Sequence, residues 1–210
     1  MIAREPRRQL AAQLEAARRR GMLGPGPVEA HLEHAEAMAI AIEPAFGGRF
    51  LDLGTGGGVP GLILLSVWPD ASGVLLEAQG RRCGFLEDAL RELELDGRGS
   101  VACGRAEELA RDPRFRGTFE LVVARGFAGP ATTAECGVGF LARGGRLAVS
   151  EPSGAGRGDR WPRDGLSELG LAGPEVRKGR GAGVALLRAL GPPSDRWPRR
   201  VGVPGRRPLW

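Results

Sequence analysis

Residues Arg49 to Gly61 read R-F-L-D-L-G-T-G-G-G-V-P-G, and this stretch constrains the fold more than any other. Phe50, Leu51 and Leu53 form a short apolar strand with Asp52 near its end. Gly54, Gly56, Gly57 and Gly58 follow, and then an apolar run, Leu62 to Val67, suited to a helix. Strand, tight turn and helix in that order make the first half of a βαβ unit. Glycine is wanted in such a turn because it tolerates positive φ and lets a ligand approach the backbone at the amino end of a helix. A nucleotide-like cofactor is the natural occupant.

The next unit sharpens that reading. Gly73 to Leu76 is a second apolar strand, ended by Glu77, 19 residues after Gly58. A carboxylate at this spacing is placed to accept from both ribose hydroxyls in a Rossmann-like site. Pro60 at the helix start removes a donor that a pyrophosphate could have used, and Asp52 would repel phosphate. Asp52 instead suits a cation such as the amino group and sulfonium of S-adenosylmethionine.

Four segments then carry a family resemblance: Leu51 to Gly61, Gly80 to Leu86, Gly104 to Leu109, and Ala124-Arg125-Gly126-Phe127-Ala128. In this order, with a basic, proline-marked ending from Arg196 to Leu209, they resemble the bacterial small-subunit rRNA guanine-N7 methyltransferases (the RsmG, or GidB, family). The resemblance implies a class I S-adenosylmethionine-dependent methyltransferase fold of α/β class, Rossmann-like, with a seven-stranded, mostly parallel sheet. It implies methyl transfer to N7 of a guanine in the decoding-region loop of 16S rRNA, with rRNA or the small ribosomal subunit as partner. The expected cofactor-binding residues are Asp52, Gly54, Gly56, Gly58, Val59, Glu77, Ala106, Glu107 and Arg125, with Ala106-Glu107 along the adenine. Arg125, at the carboxyl end of a strand over Thr118 to Ala124, is the expected catalytic residue, orienting cofactor or base.

Chemistry agrees with a base-free reaction. Enzymes of this fold that methylate amines carry an Asn/Asp-Pro-Pro-aromatic motif where this chain has Ala-Arg-Gly-Phe. N7 of guanine presents an in-plane lone pair at neutral pH, so in-line orientation can supply most of the acceleration. Cytosine-C5 chemistry would want a Pro-Cys nucleophile, which Cys136 lacks.

Length and composition set the remaining bounds. The 210 residues suffice for one α/β domain, divided here into a helical cap (1–45), a methyltransferase core (46–192) and a basic tail (193–210). No apolar run is long enough to span a membrane, and Met1 to Arg8 is too charged for a signal peptide, so a cytoplasmic protein is expected. The sequence leaves the oligomeric state open, with a monomer as the default. Cys83, Cys103 and Cys136 are odd in number and widely spaced, and read as separate small buried side chains. His31 and His34 share a helix face without further ligands of His or Cys type, so no metal is expected. Basic residues outnumber acidic ones 30 to 25, and all but Lys178 are arginine. Arg81, Arg82, Arg199, Arg200, Arg206 and Arg207 are the candidates for holding RNA phosphates.

Spacing predicts helices over Ile2 to Arg20, Val28 to Ile42, Arg81 to Leu93 and Ala128 to Leu141. Strands are predicted over Gly99 to Cys103, Leu147 to Ser150, Gly173 to Lys178 and Gly183 to Leu190, with a flexible loop over Gly154 to Gly158 and a short helix over Asp164 to Leu169. The chain departs from the family in its shortened cap, in Ala37 where an aspartate of a His-x-x-Asp segment would follow His34, and in Ser150-Glu151-Pro152 where the family places a lysine and glycine. An acid there would repel RNA phosphate. The short cap and Glu151 favour a methyltransferase acting on another RNA or a small molecule; a non-catalytic RNA- or ribosome-binding protein with a relic fold is the other alternative.

Overall fold

A computed structural model describes residues 2–152, 160–179 and 181–210. The loop expected over Gly154 to Gly158 lies outside the described residues. Two helices, α1 (Arg4–Arg19) and α2 (Val28–Ile42), precede the sheet. Then follow β1 (Arg49–Leu53), α3 (Gly61–Val67), β2 (Ser72–Glu77), α4 (Gly80–Glu92), β3 (Gly99–Cys103), α5 (Ala106–Leu109) and β4 (Phe119–Ala124). The second half holds α6 (Pro130–Val138), β5 (Leu141–Glu151), α7 (Arg163–Glu168), β6 (Leu171–Gly179), β7 (Ala182–Ala189) and α8 (Val203–Arg206).

The strands form one seven-stranded sheet in the order β3-β2-β1-β4-β5-β7-β6. β7 runs antiparallel to both β5 and β6, and the remaining pairs are parallel. Strand order reverses between β1 and β4, the switch point where open α/β sheets bind ligands beyond their carboxyl ends.

Apolar strands alternate their side chains between two cores, one on each face, as expected when helices cover both sides. Phe50, Leu75, Leu121, Val123, Val184 and Leu186 pack with α1 to α4. Leu51, Leu53, Val122, Leu147, Ala185 and Leu187 pack with Ala134, Phe140, Trp161 and Trp197 on the other face. Asp52 shares the pleat face of Phe50 and so points towards α3. In the cap, Leu10, Leu14 and Ala17 recur at helical spacing and are fully buried.

Two expectations change. The helix expected to reach Leu141 stops at Val138, and β5 already starts at Leu141. Its pairing shifts register between Phe119↔Leu141 and Leu121↔Arg146. The Arg143-Gly144-Gly145 turn, with Gly144 at φ 79°, is therefore an irregularity inside a longer strand. The cysteines are also not all separate. Cys83 and Cys103 are joined in a disulfide with Cα atoms 5.8 Å apart. Parallel pairing sets Cys103 opposite Glu77, and the first turn of α4 returns Cys83 over the same strand end. Cysteine count and spacing carry no trace of that proximity.

Candidate active site

The turn after β1 is built by its neighbours as well as its glycines. Gly54, Gly56 and Gly58 have φ of 73°, 60° and 98°, the left-handed region that L side chains avoid. Thr55 N–H donates to Leu76 O at 3.0 Å, which stitches the turn to the end of β2. Gly56 N–H donates to Glu77 Oε2 at 3.1 Å, while Glu77 Oε1 accepts from the N–H groups of Ala78 and Gln79, both at 2.9 Å. Arg82 Nη1 stands 3.6 Å from Oε2. Glu77 is thus fixed by three backbone donors, two on Oε1 and one on Oε2, and Oε2 keeps a lone pair for a ligand hydroxyl. Above the turn, a Cβ on Gly57 would meet Met22 O at 2.9 Å and Ala17 Cβ at 3.0 Å, so the short cap closes directly over it.

Asp52 is completely buried. Its Oδ2 accepts from Gly61 N–H at 2.7 Å, which ties β1 to the start of α3. Burial pushes its carboxyl up to about 7, against the Thr55 hydroxyl and the Gly61 N–H, which favour the charged form. Yet Asp52 Oδ1 and Thr55 Oγ1 complete no hydrogen bond. A buried carboxylate that leaves one oxygen unanswered is costly unless a donor arrives. A positive charge nearby, such as the cationic end of S-adenosylmethionine, would offset that cost without touching the carboxylate. Full burial gives Asp52 its effect through charge and through the loop it anchors.

Arg125 follows β4, and its Nη2 donates to Nδ1 of His31 at 2.8 Å. The His31 Nε2 side faces Gly24 O at 3.3 Å, which assigns the proton to Nε2 and leaves Nδ1 as the acceptor. Burial first, and the Arg125 charge second, hold His31 below its ordinary value. One turn on, Nε2 of His34 bonds Ser150 Oγ at 2.9 Å. The two histidines that sequence spacing suggests as neighbours therefore pin the ends of β4 and β5 to α2. Among the described residues no group of three or more His, Cys, Asp or Glu could hold a metal.

Phe127 was not among the candidates. Its ring lies over Gly54, where an added Cβ would sit 2.5 Å from ring carbon Cδ2. It also helps to line a cavity of about 390 Å³ between the ends of β4 and β5, with His34, Thr133, Ser150, Glu151 and Arg160. Glu151 is not a free acid at this mouth. Trp161 Nε1 donates to its Oε1 at 2.9 Å, and Arg160 Nε lies 3.2 Å from its Oε2 without hydrogen-bond alignment. The expected repulsion of phosphate by Glu151 is accordingly offset. A tryptophan ten residues along gives no local signal of that pairing.

The acid after β3 has a partner as well. Glu107 is buried beside Ala106, and its Oε1 accepts from Gly202 N–H at 2.9 Å. Burial would raise its carboxyl, but Gly202, its own N–H and Arg105 together hold it below the usual value. The tail that supplies Gly202 is packed down: Trp197 is buried, and its Nε1 donates to Glu168 O at 3.1 Å. Arg199 is withdrawn from the phosphate-binding candidates, because Nε and Nη2 bond the fully buried Glu135 at 2.8 and 2.6 Å. A carboxylate sealed in the core demands that cation. Arg82 is turned to Glu77, and Arg81 donates to Arg20 O at 2.8 Å. Arg200, Arg206 and Arg207 are exposed. Burial pushes the Cys136 thiol far up, out of reach of nucleophilic chemistry at neutral pH.

Residues 28–150 match the family described as rRNA small subunit methyltransferase G. A curated relative, the Ribosomal RNA small subunit methyltransferase G of Moorella thermoacetica, is 37% identical over 82% of this chain and 73% of its own length. The protein of the same name from Rubrobacter xylanophilus is 33% identical over 96% of this chain and 82% of its own. Among solved structures, the O-methyltransferase from Bacillus cereus in complex with SAH superposes with a TM-score of 0.60 at 13% identity, over 90% of this chain and 93% of that one. That last likeness concerns the fold.

Proposed function

The chain belongs to the rRNA small subunit methyltransferase G family, and from that premise we propose that it methylates N7 of a guanine in the decoding-region loop of 16S rRNA. S-adenosylmethionine supplies an electrophilic methyl group on a sulfonium. Glu77 holds the ribose hydroxyls, the Gly54 to Gly58 turn admits the ligand to the backbone, and Asp52 complements its positive end. Val59, Ala106 and Glu107 complete the cofactor-binding set.

The observation that carries the proposal is the position of the cavity. It lies at the ends of β4 and β5, with Phe127 as the wall it shares with Gly54, so a base seated there is next to the cofactor turn. Arg125, steadied by His31, orients what meets between them. Guanine N7 needs no proton removed, so holding its lone pair in line is the work the site has to do.

Exposed Arg81, Arg200, Arg206 and Arg207 are the groups proposed to hold phosphates, and activity then falls steeply with salt. The partner is 16S rRNA or the small subunit carrying it, met in the cytoplasm. Among the described residues no helix is long and apolar enough to cross a membrane.

The experiment is incubation with labelled S-adenosylmethionine and small subunits from cells lacking the N7 mark, followed by N7-specific strand cleavage. Label at the decoding-loop guanine is the expected result. Intact cofactor binding with no label on the subunit overturns the proposal.

A further inference from the structure

The cavity at the ends of β4 and β5 contains a carboxylate held in a fixed direction. The Glu151 side chain is only 9% exposed, with Trp161 Nε1 on one oxygen and Arg160 beside the other. A carboxylate has about four acceptor sites on its two oxygens, so these neighbours leave it able to accept further donors. Arg160 offsets its charge without consuming that capacity.

Guanine is the base that presents two adjacent donors, N1–H and the 2-amino group, on its six-membered ring. Adenine offers an acceptor at N1, which a carboxylate would repel. The edge bearing N1–H and the 2-amino group lies across the ring system from N7. A base with that edge against Glu151, at the end of β5, turns N7 back towards Arg125 at the end of β4 and the glycine turn at the end of neighbouring β1. Phe127 offers a ring face in the cavity wall on which a base can stack.

We propose that Glu151 is a specificity-determining residue that selects guanine by accepting from N1–H and the 2-amino group, inside the β4–β5 cavity. This inference rests on the guanine-N7 reading above. It gives the Ser150-Glu151-Pro152 departure a use: the acid recognises a base and leaves phosphates to the arginines.

The test compares rRNA fragments carrying guanine or inosine at the target position, since inosine keeps N7 and N1–H but lacks the 2-amino group. Wild-type protein is expected to lose roughly tenfold in kcat/KM on inosine, the low end of a bidentate contact. Glu151→Gln keeps an acceptor for Trp161. It should be roughly tenfold or more slower on guanine, with the guanine-to-inosine ratio collapsing towards one and cofactor affinity by calorimetry unchanged. The ratio is taken within each preparation, so a partly unfolded variant does not distort it. A Glu151→Gln ratio equal to that of the wild type overturns the inference, as does a wild-type protein indifferent to inosine. A wild-type protein inactive on the guanine fragment and on the small subunit alike overturns the guanine-N7 reading itself, a different result from either.

Discussion

The two halves of the site are held in different ways. On the cofactor side, around β1 and β2, the fixing groups are backbone N–H donors close in sequence. Ala78 and Gln79 follow Glu77 directly, Gly61 lies nine residues from Asp52, and Gly56 lies 21 from Glu77. On the substrate side, around β4 and β5, the fixing groups are side chains from far along the chain. His31 meets Arg125 across 94 residues and His34 meets Ser150 across 116. A site made from backbone donors is set by the turn that carries it, and substitutions elsewhere leave it standing. A site made from distant side chains depends on how the cap docks.

The largest effect expected on the cofactor side is from Glu77→Ala. It removes a carboxylate that anchors the Gly56 turn and that we propose holds the ribose, and charge-assisted hydrogen bonds contribute about 1.5–3 kcal/mol each. Cofactor affinity by calorimetry should fall about a hundredfold or more, with binding of rRNA little changed. Unchanged affinity would remove Glu77 from the site.

Next is His31→Ala, which takes the acceptor from Arg125 and should cost about 2 kcal/mol of stability in urea unfolding. Methyl transfer should slow while cofactor affinity holds, the reverse of the Glu77 pattern. The pH dependence has a definite sign. His31 is neutral in the fold and its value is lowered, first by burial and then by Arg125, so the unfolded chain takes up a proton first as pH falls below 6.5. The stability it contributes is present above that pH and is lost below it. His34 is shifted in the same direction, so His31→Ala should weaken the acid sensitivity of the urea midpoint without abolishing it. A variant as acid-sensitive as the wild type would show that His31 does not hold Arg125 as a neutral acceptor.

The smallest effect belongs to Asp52. With its carboxyl at about 7, the fold holds it protonated below that pH, and a cationic ligand prefers it ionised. Cofactor affinity should rise by up to about tenfold between pH 6 and pH 8, following the ionised fraction. Asp52→Asn should flatten that profile. A variant retaining the wild-type slope would assign the titration to another group.

Local pattern made much of this legible. Short continuous apolar runs, the glycine turn and the spacing to Glu77 lead to an α/β fold with a cofactor turn, and the family resemblance implies its seven-stranded sheet. Strand ends are marked by the same pattern, which is why Arg125 falls beside the cavity. Each of these features follows from side-chain periods and turn residues that can be read within a few residues. The start of β5 is not legible: spacing predicts a helix as far as Leu141, where the strand already begins.

Other features depended on which surfaces meet. Glu135 sealed in the core decides that Arg199 is a structural cation, while Arg200, one residue on, is exposed. Strand register and a helix turn decide that Cys83 finds Cys103. Docking of α2 decides that two histidines steady the ends of two strands, and Trp161 with Arg160 decides that Glu151 faces the cavity as a held acceptor. The sequence by itself determined the strands, the turn and the acids at the strand ends, because those are short-range consequences of the local pattern. What each charge is used for was decided by tertiary structure, because burial and a partner tens of residues away fix whether an ionised group is a strut or a reader.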